Sequence, residues 1–397
     1  HRGRGLPGAS LGYLVSMFAL HDEAHGRRVG MVSTYPPTRC GIARFAERLS
    51  AAITSLRPGW DVDVVRLIDR QGPSAIGKVR AEIDPDSPIS LRSAARVLDR
   101  TDLVIVQHEY GIFGRNDGES VIELVNRVHQ PVATILHTVR VDPSQRQRRI
   151  IQQLDESSSL IVMCETAREV LRTRYDISAE NVTVIHHGSD WTAQPPNPAP
   201  RRHIISWGLL GPGKGLERAL RAIALLGDMS PRPHYSIVGR THPNVLRHSG
   251  TAYRESLEHL VAELGIEHMV TFVDRYLDED ELLAMVANCD VALVPYDNQE
   301  QMSSGVVTDA LAAGRPVVAT QFPYAAEMLA DGSGVTTGRS VDQVAQAIES
   351  LLTDDAAYLR AFRAAQARSQ TLSWTSAAQQ LLDTTLHPIS RTHLEVR

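Results

Sequence analysis

The sequence EQMSSGVVTDALAAGRPVVAT, Glu300–Thr320, indicates the fold more clearly than any other stretch of the chain. An apolar run, Val291–Pro295, precedes it, and a short helical pattern follows its two serines and its glycine. A Gly-Arg-Pro stop then separates the helical pattern from a second apolar run. This order of a strand, a loop, a helix and a strand predicts one β-α-β unit of a parallel sheet.

The predicted helix begins at Ser303, Ser304 and Gly305, and its first backbone N–H groups have no partner within the helix. Such unpaired donors and the positive end of the helix dipole form a binding site for a diphosphate. Asp309 lies one helical turn further along the same face, where its carboxylate can accept hydrogen bonds from ribose hydroxyls. A diphosphate site beside a ribose acceptor predicts a nucleotide-sugar site.

Short apolar runs alternate with amphipathic stretches on both sides of a proline-rich segment, Gln194–Arg201. The alternation predicts parallel, doubly wound sheets, and the proline-rich segment is typical of a stiff linker. We therefore predict an α/β fold with two Rossmann-like domains that face each other across a cleft at the carboxyl ends of their strands. The predicted limits are an N-terminal extension at 1–28, a first domain at 29–193, a linker at 194–201, a second domain at 202–370 and a C-terminal segment at 371–397.

The strands follow from the apolar runs. In the first domain they are predicted at Arg28–Thr34, Asp61–Ile68, Leu103–His108, Val132–His137, Leu160–Met163 and Val182–His186. In the second domain they are predicted at His203–Trp207, Tyr235–Val238, Val270–Val273, Val291–Pro295, Pro316–Thr320 and Gly334–Thr337.

Composition narrows the class of protein. The formal charge of −5 and the pI of about 6.4 disfavour a general nucleic-acid binder. The three cysteines form no C-x-x-C pair and fall in or beside apolar segments, which predicts buried free thiols and a reducing cytoplasm. No apolar run approaches the roughly 18 residues of a membrane span. The sequence indicates nothing about the oligomeric state.

A glycine-rich turn, Ser206-WGLLGPGKGLERAL, opens the second domain and contains Gly208 and Lys214. Glycines allow a close approach of the backbone to an anion, and the lysine supplies a positive charge. A plain strand–helix turn with a solvated lysine is the alternative, since the P-loop spacing is absent. The serine-led helix start at the same sheet edge favours the phosphate site. Arg240 and Arg275 follow the next two strands, where they can pair with phosphate or stack on a base.

In the first domain, Tyr35-PPTRCGIARF places Gly41 at a helix start. A glycine there allows a diphosphate or a sugar to approach the backbone closely. The alternative is a plain turn that the two prolines stiffen. His108-EYGIF and His137-TVR each close a strand at the same edge. A histidine there can donate to a sugar hydroxyl or a leaving phosphate, or it caps nearby backbone. The side chains expected on the acceptor side of the cleft are Arg39, His108, Glu109 and Tyr110.

Two further stretches carry weaker predictions. His186-His187-Gly188 ends the last strand of the first domain and is expected to be structural or to line the cleft. A basic group after His137 either forms a solvated helix face or makes a peripheral contact with an anionic membrane or acceptor; it consists of Arg140, Arg146, Arg148 and Arg149.

The chain resembles the retaining GT-B glycosyltransferases of family GT4, and more narrowly a bacterial mannosyltransferase-like subgroup. The resemblance extends from residue 29 to residue 375. It rests on the stretches Ser33–Phe45, Val106–Gly114, Thr134–Val139, Val184–Gly188, Gly208–Leu220, Ile237–Pro243, Phe272–Leu277 and Pro295–Val306.

The resemblance implies transfer of a hexose, with retention, from a nucleotide sugar to an oligosaccharide, polysaccharide or glycolipid. GDP-mannose is the donor it favours, no metal or other cofactor is expected, and Ser373-WTSAAQQLL is expected to cross back to the first domain. The family's cleft histidine corresponds to His137 and its phosphate lysine to Lys214, and both are expected to act in catalysis. The family's arginine five residues before the lysine is replaced by Leu209, and Arg240 is the candidate substitute.

The family's paired glutamates, with seven residues between them, correspond to Gln301 and Asp309, and Glu300 lies one residue before the first position. A neutral amide can still bond a sugar hydroxyl, so Gln301 is the third expected catalytic residue, with Glu300 as its neighbour at the donor.

Other classes stay open at this point. They are a glycosyltransferase that uses a UDP-sugar, a nucleotide-sugar epimerase or phosphorylase, and an inactive sugar-nucleotide-binding protein. A dinucleotide-dependent dehydrogenase is disfavoured, because the first strand–helix turn lacks G-x-G-x-x-G.

Overall fold

A computed structural model describes residues 26–38, 40–68, 77–198, 200–275 and 277–386. Within these ranges the first domain contains seven strands: β1 (Arg28–Ser33), β2 (Asp61–Leu67), β3 (Val79–Ile83), β4 (Leu103–His108), β5 (Val132–Leu136), β6 (Ser159–Val162) and β7 (Val182–Val184). Its α-helices are α1 (Gly41–Leu56), α2 (Pro88–Leu98), α3 (Ser120–Val125), α4 (Gln145–Ser157) and α5 (Glu165–Arg174).

The second domain contains six strands: β8 (His203–Trp207), β9 (His234–Val238), β10 (Val270–Val273), β11 (Val291–Val294), β12 (Val317–Thr320) and β13 (Gly334–Thr337). Its α-helices are α6 (Leu216–Leu225), α7 (Pro243–Ser249), α8 (Ala252–Glu263), α9 (Glu279–Ala287), α10 (Gly305–Ala312), α11 (Pro323–Met328), α12 (Val341–Thr353) and α13 (Asp355–Ser369). A last helix, α14 (Trp374–Leu386), follows them.

Both sheets are parallel and doubly wound. The strand order is β3-β2-β1-β4-β5-β6-β7 in the first sheet and β10-β9-β8-β11-β12-β13 in the second. The order reverses between β1 and β4 and between β8 and β11, and such switch points are where ligands bind in open parallel sheets. The predicted class, two doubly wound α/β domains, is confirmed.

The sequence explains this architecture locally. Every residue of β4 and of β11 is buried, as expected for strands covered by helices on both faces. Several helices begin at side-chain caps; Ser144 with Gln147 and Ser340 with Gln343 form capping boxes.

Strand β3 and helix α2 are among the first-domain elements that were not predicted. Strand β3 is a short edge strand with the charged sequence VRAEI and half-exposed residues, so its apolar pattern is weak. Helix α2 carried a usable signal, because Ser87 caps it and Pro88 occupies its first turn.

The chain returns to the first domain at its end. Helix α14 packs along α1, and Trp374 lies edge-on to Phe45 with 4.7 Å between ring centroids. A backbone bridge joins Ser189 to Ser373, so the outgoing connection and the returning chain run side by side. No helix in the described ranges combines the length and apolar character needed to span a membrane.

Candidate active site

The glycine-rich turn after β8 lies at the switch point of the second sheet. Gly208 has a φ of +117° and Gly215 a φ of +67°, both in the region that favours glycine. A Cβ at Gly215 would lie 1.8 Å from the carbonyl oxygen of Pro295, so the turn closes directly against the end of β11. Gly215 is therefore required for this close packing of the turn against β11.

Lys214 projects from this turn over an aromatic ring. Its Nζ lies 4.2 Å from the centroid of the Tyr296 ring, a cation–π contact. In the described part of the chain no carboxylate forms an ion pair with this ammonium. Lys214 and Tyr296 line one pocket with Val306, from the first turn of α10. The two predicted phosphate-binding elements therefore meet in one place.

The start of α10 keeps its first amides available. Ser304 is buried, and its Oγ accepts a hydrogen bond from the N–H of Val307, the usual N-cap bond. Ser303 Oγ lies 3.5 Å from the carbonyl oxygen of His137 in the first domain. No described acceptor binds the N–H of Gly305 or Val306.

The altered acidic pair has structural partners. The side-chain amide of Gln301 donates to the carbonyl oxygen of Ser303 over 2.9 Å and so holds the loop before α10. The backbone N–H of Glu300 donates to the side chain of Asn298. Contact of either residue with a donor sugar stays a prediction.

Asp309 binds the connection between the domains. Its Oδ1 accepts a hydrogen bond of 2.7 Å from Ser189 Oγ, and burial raises the pKa of its carboxyl to about 6. Nearby Arg44 and Arg48 oppose this rise. One carboxylate oxygen is thus already used within the protein, and a ribose contact through the other stays a prediction.

The two predicted arginines of the second domain differ. Arg240 is exposed and has no side-chain partner among the described residues. Arg275 forms an ion pair with Glu281 at 2.7 Å, beside the cap of α9 by Asp278. Arg275 therefore pairs with the first turn of α9 instead of pointing freely at a ligand.

His137 lies where the first domain meets the loop before α10. Its Nε2 is 2.7 Å from Oε1 of the buried Gln107, and its ring is edge-on to Phe45 at 4.8 Å. Burial, followed by His187 and His108, lowers the pKa of His137 to about 3. The imidazole is therefore neutral at physiological pH.

A second histidine, His187, lies against the start of α10. A Cβ on Gly305 would come within 3.3 Å of its Nε2, and its ring is 5.0 Å from that of Phe45. Burial lowers the pKa of His187 to about 4. The sequence predicted a structural or cleft-lining role for His187. Nothing in the residues around it indicated that its ring would lie against helix α10 of the second domain.

Two acceptor-side predictions are wrong. His108 is fully buried and stacks on Phe113, and burial lowers its pKa to about 4. Tyr110 is buried beside Tyr175. Neither side chain can meet an acceptor, because both lie in the core beneath the cleft.

The other acceptor-side residues have different outcomes. Glu109 is half-buried and accepts a hydrogen bond from Thr138 Oγ1, so it fixes the turn just after His137. Gly41 is exposed, and a Cβ there would meet nothing within 4 Å. Arg39 lies outside the described residues.

Arginines on α1 form contacts that the sequence did not reveal. Arg44 and Arg48, one helical turn apart, both pair with the carboxylate of Glu279 in the second domain, Arg44 at 2.8 Å. Arg48 Nε also lies 3.2 Å from Asp190. The basic group after β5 is partly neutralised, since Arg148 pairs with Asp176 and Arg149 with Glu119.

The cysteine prediction needs one correction. Cys164 and Cys289 are buried free thiols as predicted, but Cys40 is only half-buried. Its Sγ accepts a hydrogen bond from the N–H of Ala43 and caps α1, which keeps it near the surface of the cleft. In the described ranges, no three His, Cys, Asp or Glu side chains are grouped to hold a metal ion. That the reaction needs no metal stays a prediction.

Comparison with known proteins relates this site to one family. Residues 189–368 match the family model described as Glycosyl transferases group 1. The D-inositol 3-phosphate glycosyltransferase of Corynebacterium glutamicum is 27% identical over 285 residues, covering 66% of this chain and 65% of that protein. The chain thus spans just under two thirds of the length of this relative.

Solved structures show the same architecture. Sucrose-phosphate synthase from Thermosynechococcus elongatus matches with a TM-score of 0.70 at 19% identity, over 92% of this chain and 100% of that one. Anabaena HepE, in a complex with UDP, matches with a TM-score of 0.70 at 17% identity, over 91% and 100%. The predicted GT-B fold is confirmed, and the second domain matches group 1 glycosyltransferases. None of the proteins named here is a mannosyltransferase, so that subgroup stays a prediction.

Proposed function

We propose that this protein is a retaining glycosyltransferase that moves a hexose from a nucleotide sugar to a hydroxylated carbohydrate acceptor. The observation that carries the proposal is that Lys214 lies beside Val306 of the first turn of α10, where both border one small gap, and that Ser303 Oγ lies 3.5 Å from the His137 carbonyl of the other domain. Cation, free helix amides and a cleft histidine are the groups that a departing diphosphate and its sugar require.

In this proposal the diphosphate lies on the N–H groups of Gly305 and Val306, and Lys214 pairs with the charge that develops as the sugar leaves. These groups are held before the reaction begins, so little reorganisation is needed. The sugar points toward His137, and the acceptor enters from the first domain past Gly41. Closure of the domains excludes water, which competes as an acceptor.

GDP-mannose is the donor we propose first, on the resemblance carried by Gln301 and the two serines that follow it. A UDP-hexose is the second candidate, because the HepE structure of the same fold holds UDP. Retention of configuration and independence from metal are proposed on the same resemblance.

The acceptor is proposed as a sugar or glycolipid hydroxyl. An inositol phosphate is the second candidate, because the relative from Corynebacterium is named for it. Arg140 and Arg146 support an anionic acceptor, since both are exposed near the end of β5 and no described carboxylate forms an ion pair with either.

The test is a panel of GDP- and UDP-sugars with and without oligosaccharide, glycolipid and inositol 3-phosphate acceptors. Nucleotide release that depends on an acceptor, with the anomeric configuration of the product read by NMR, supports transfer. Release without an acceptor and with a free altered sugar indicates an epimerase. Tight binding of nucleotide sugars with no release identifies an inactive binding protein and refutes the proposal.

A further inference from the structure

Two buried side chains on neighbouring strands and the half-buried His137 form a hydrogen-bonded chain that ends at the cleft. Gln107 on β4 donates through Nε2 to the sulfur of Met31 on β1 over 3.4 Å. Its Oε1 lies 2.7 Å from Nε2 of His137, which follows β5. Met31 and Gln107 are fully buried.

Strand register places these residues on one face of the sheet. Met31 pairs with Ile105, and Gln107 pairs with Ile135. Gln107 is two residues beyond Ile105, and His137 is two residues beyond Ile135. Because side chains alternate between the two faces of a sheet, Met31, Gln107 and His137 all point to the same face. The N–H of His137 donates to the carbonyl oxygen of His108. This bond continues the hydrogen bonding between β4 and β5 by one residue and so fixes the face to which His137 points.

The sulfur of Met31 decides which way the Gln107 amide points. A thioether can accept a weak hydrogen bond but cannot donate one. With the amide nitrogen toward Met31, the amide oxygen faces His137 and needs a donor. The flipped amide would place its oxygen against the sulfur, with no proton between them.

A neutral imidazole carries one N–H, and the carbonyl of Gln107 requires it on Nε2. The neighbouring rings, His108 and His187, are themselves kept neutral by burial, so no adjacent imidazolium competes for this choice. Nδ1 is then an unprotonated acceptor. It has no partner among the described residues and is not sealed from the surface.

We propose that Gln107, oriented by Met31, is a positioning residue that fixes His137 as a hydrogen-bond acceptor, so that the donor-sugar group against it is a neutral hydroxyl and not a carboxylate. The tautomer half stands on the hydrogen-bonded chain from Met31 to His137 together with the neutral state of that imidazole, and the ligand half rests on the proposed function. A hydroxyl can donate to Nδ1, whereas an ionised carboxylate has no proton to donate and would place its oxygen lone pairs against that of Nδ1.

The tautomer can be read without any substrate. Long-range ¹H–¹⁵N correlation spectra of protein labelled at histidine distinguish a protonated from an unprotonated ring nitrogen, and loss of one signal set in His137→Asn assigns the residue. We expect Nε2–H with bare Nδ1 in the wild type at pH 7. A proton on Nδ1 instead would overturn the proposal.

Variants test whether Gln107 is the cause. Gln107→Leu removes the acceptor for Nε2–H, and we expect a mixture of both tautomers. Gln107→Glu places a carboxylate there, and we expect both nitrogens to be protonated. Gln152→Leu is the matched control, because Gln152 is a half-buried glutamine of the same domain bonded to the Tyr175 carbonyl. An unchanged His137 spectrum in both Gln107 variants contradicts the assigned role.

The ligand half is tested with a neutral hexose donor and counterparts that carry a carboxylate on the sugar, beginning with UDP-glucose and UDP-glucuronate or the matching GDP pair. We expect the wild type to bind the neutral sugar at least about tenfold more tightly and Gln107→Glu to lose this preference. Equal affinities in the wild type overturn the ligand half. If no nucleotide sugar binds at all, the proposed function and the ligand half fall together, while the tautomer result stands.

Discussion

Arg44 on α1 and Glu279 at the start of α9 form an ion pair across the cleft, with 2.8 Å between Nη2 and Oε1. Arg48 holds the other oxygen of the same carboxylate and also contacts Asp190 in the connection between the domains. One carboxylate of the second domain therefore joins two guanidinium groups of the first. Since these side chains are partly exposed, salt should weaken the contact.

Glu279→Gln should loosen the contact between the two domains without unfolding either of them. Exposed ion pairs contribute up to about 1 kcal/mol each, so the free energy of unfolding should change little. The radius of gyration from small-angle X-ray scattering should rise relative to the wild type at low salt, and the difference should vanish at high salt. Glu281→Gln is the control, because Glu281 is on the same helix but pairs with Arg275 of its own domain. Equal scattering for both variants would show that the pair does not hold the domains.

Lys214→Ala should lower kcat by about 10²- to 10³-fold, the usual effect of removing one preorganised group at a developing negative charge. The sequence contains one other lysine, Lys78, which lies away from the cleft and bonds to helix α1. Lys78→Arg therefore leaves Lys214 as the sole side-chain amine. In that variant a lysine-selective reagent should inactivate the enzyme at one site, located by mass spectrometry. Labelling of Lys214 that nucleotide sugar does not slow would argue against its place at the diphosphate.

The strand ends at the cleft were predictable because a parallel sheet brings all its carboxyl ends to one edge. That rule places Lys214 and the start of α10 at one edge of the second sheet, and His137 at the corresponding edge of the first sheet. It does not say which side of the sheet a residue faces. Strand β4 is buried on both faces, so no alternation of polar and apolar residues reveals that Gln107 points to His137 and that His108 points into the core.

Contacts between the domains could not be read from the sequence. Arg44 and Glu279 are separated by 235 positions, and each belongs to an ordinary amphipathic or capped helix. The same applies to His187, whose ring lies beside Gly305. The resemblance indicated the fold, but it gave no information on these pairs, which depend on how two separately folded domains are oriented.

Gly41→Ala should weaken ligand binding without lowering the stability of the fold. Gly41 is the first residue of α1, and an added Cβ has open space around it. Alanine favours a helix over glycine by up to about 1 kcal/mol, so thermal stability should hold or rise. If a ligand approaches the backbone here, the KM for donor or acceptor should rise several-fold. Gly111→Ala, at a second exposed glycine with equal room, is the control and should leave KM unchanged. Unaltered KM values in Gly41→Ala would remove this residue from the site.

His108→Leu should make the protein less sensitive to acid. Burial lowers the pKa of His108 to about 4, below its ordinary value of 6.5. As the pH falls through this window, the unfolded chain takes up a proton that the folded chain refuses, so the free energy of unfolding falls. A difference of this size corresponds to roughly 3 kcal/mol over the whole window. The leucine variant therefore loses the contribution of His108 to the fall in the free energy of unfolding. The contributions of His137 and His187 to that fall remain.

At pH 7 the same variant should be as stable as the wild type or more so, because neither ring nitrogen of His108 has a hydrogen-bond partner in the described structure. Urea unfolding at several pH values between 7 and 4 measures both effects. His268→Gln, at an exposed histidine, should keep the wild-type slope. A slope for His108→Leu equal to that of the wild type would mean that His108 is protonated alike in the folded and unfolded chains, and hence that it is not sealed in the core.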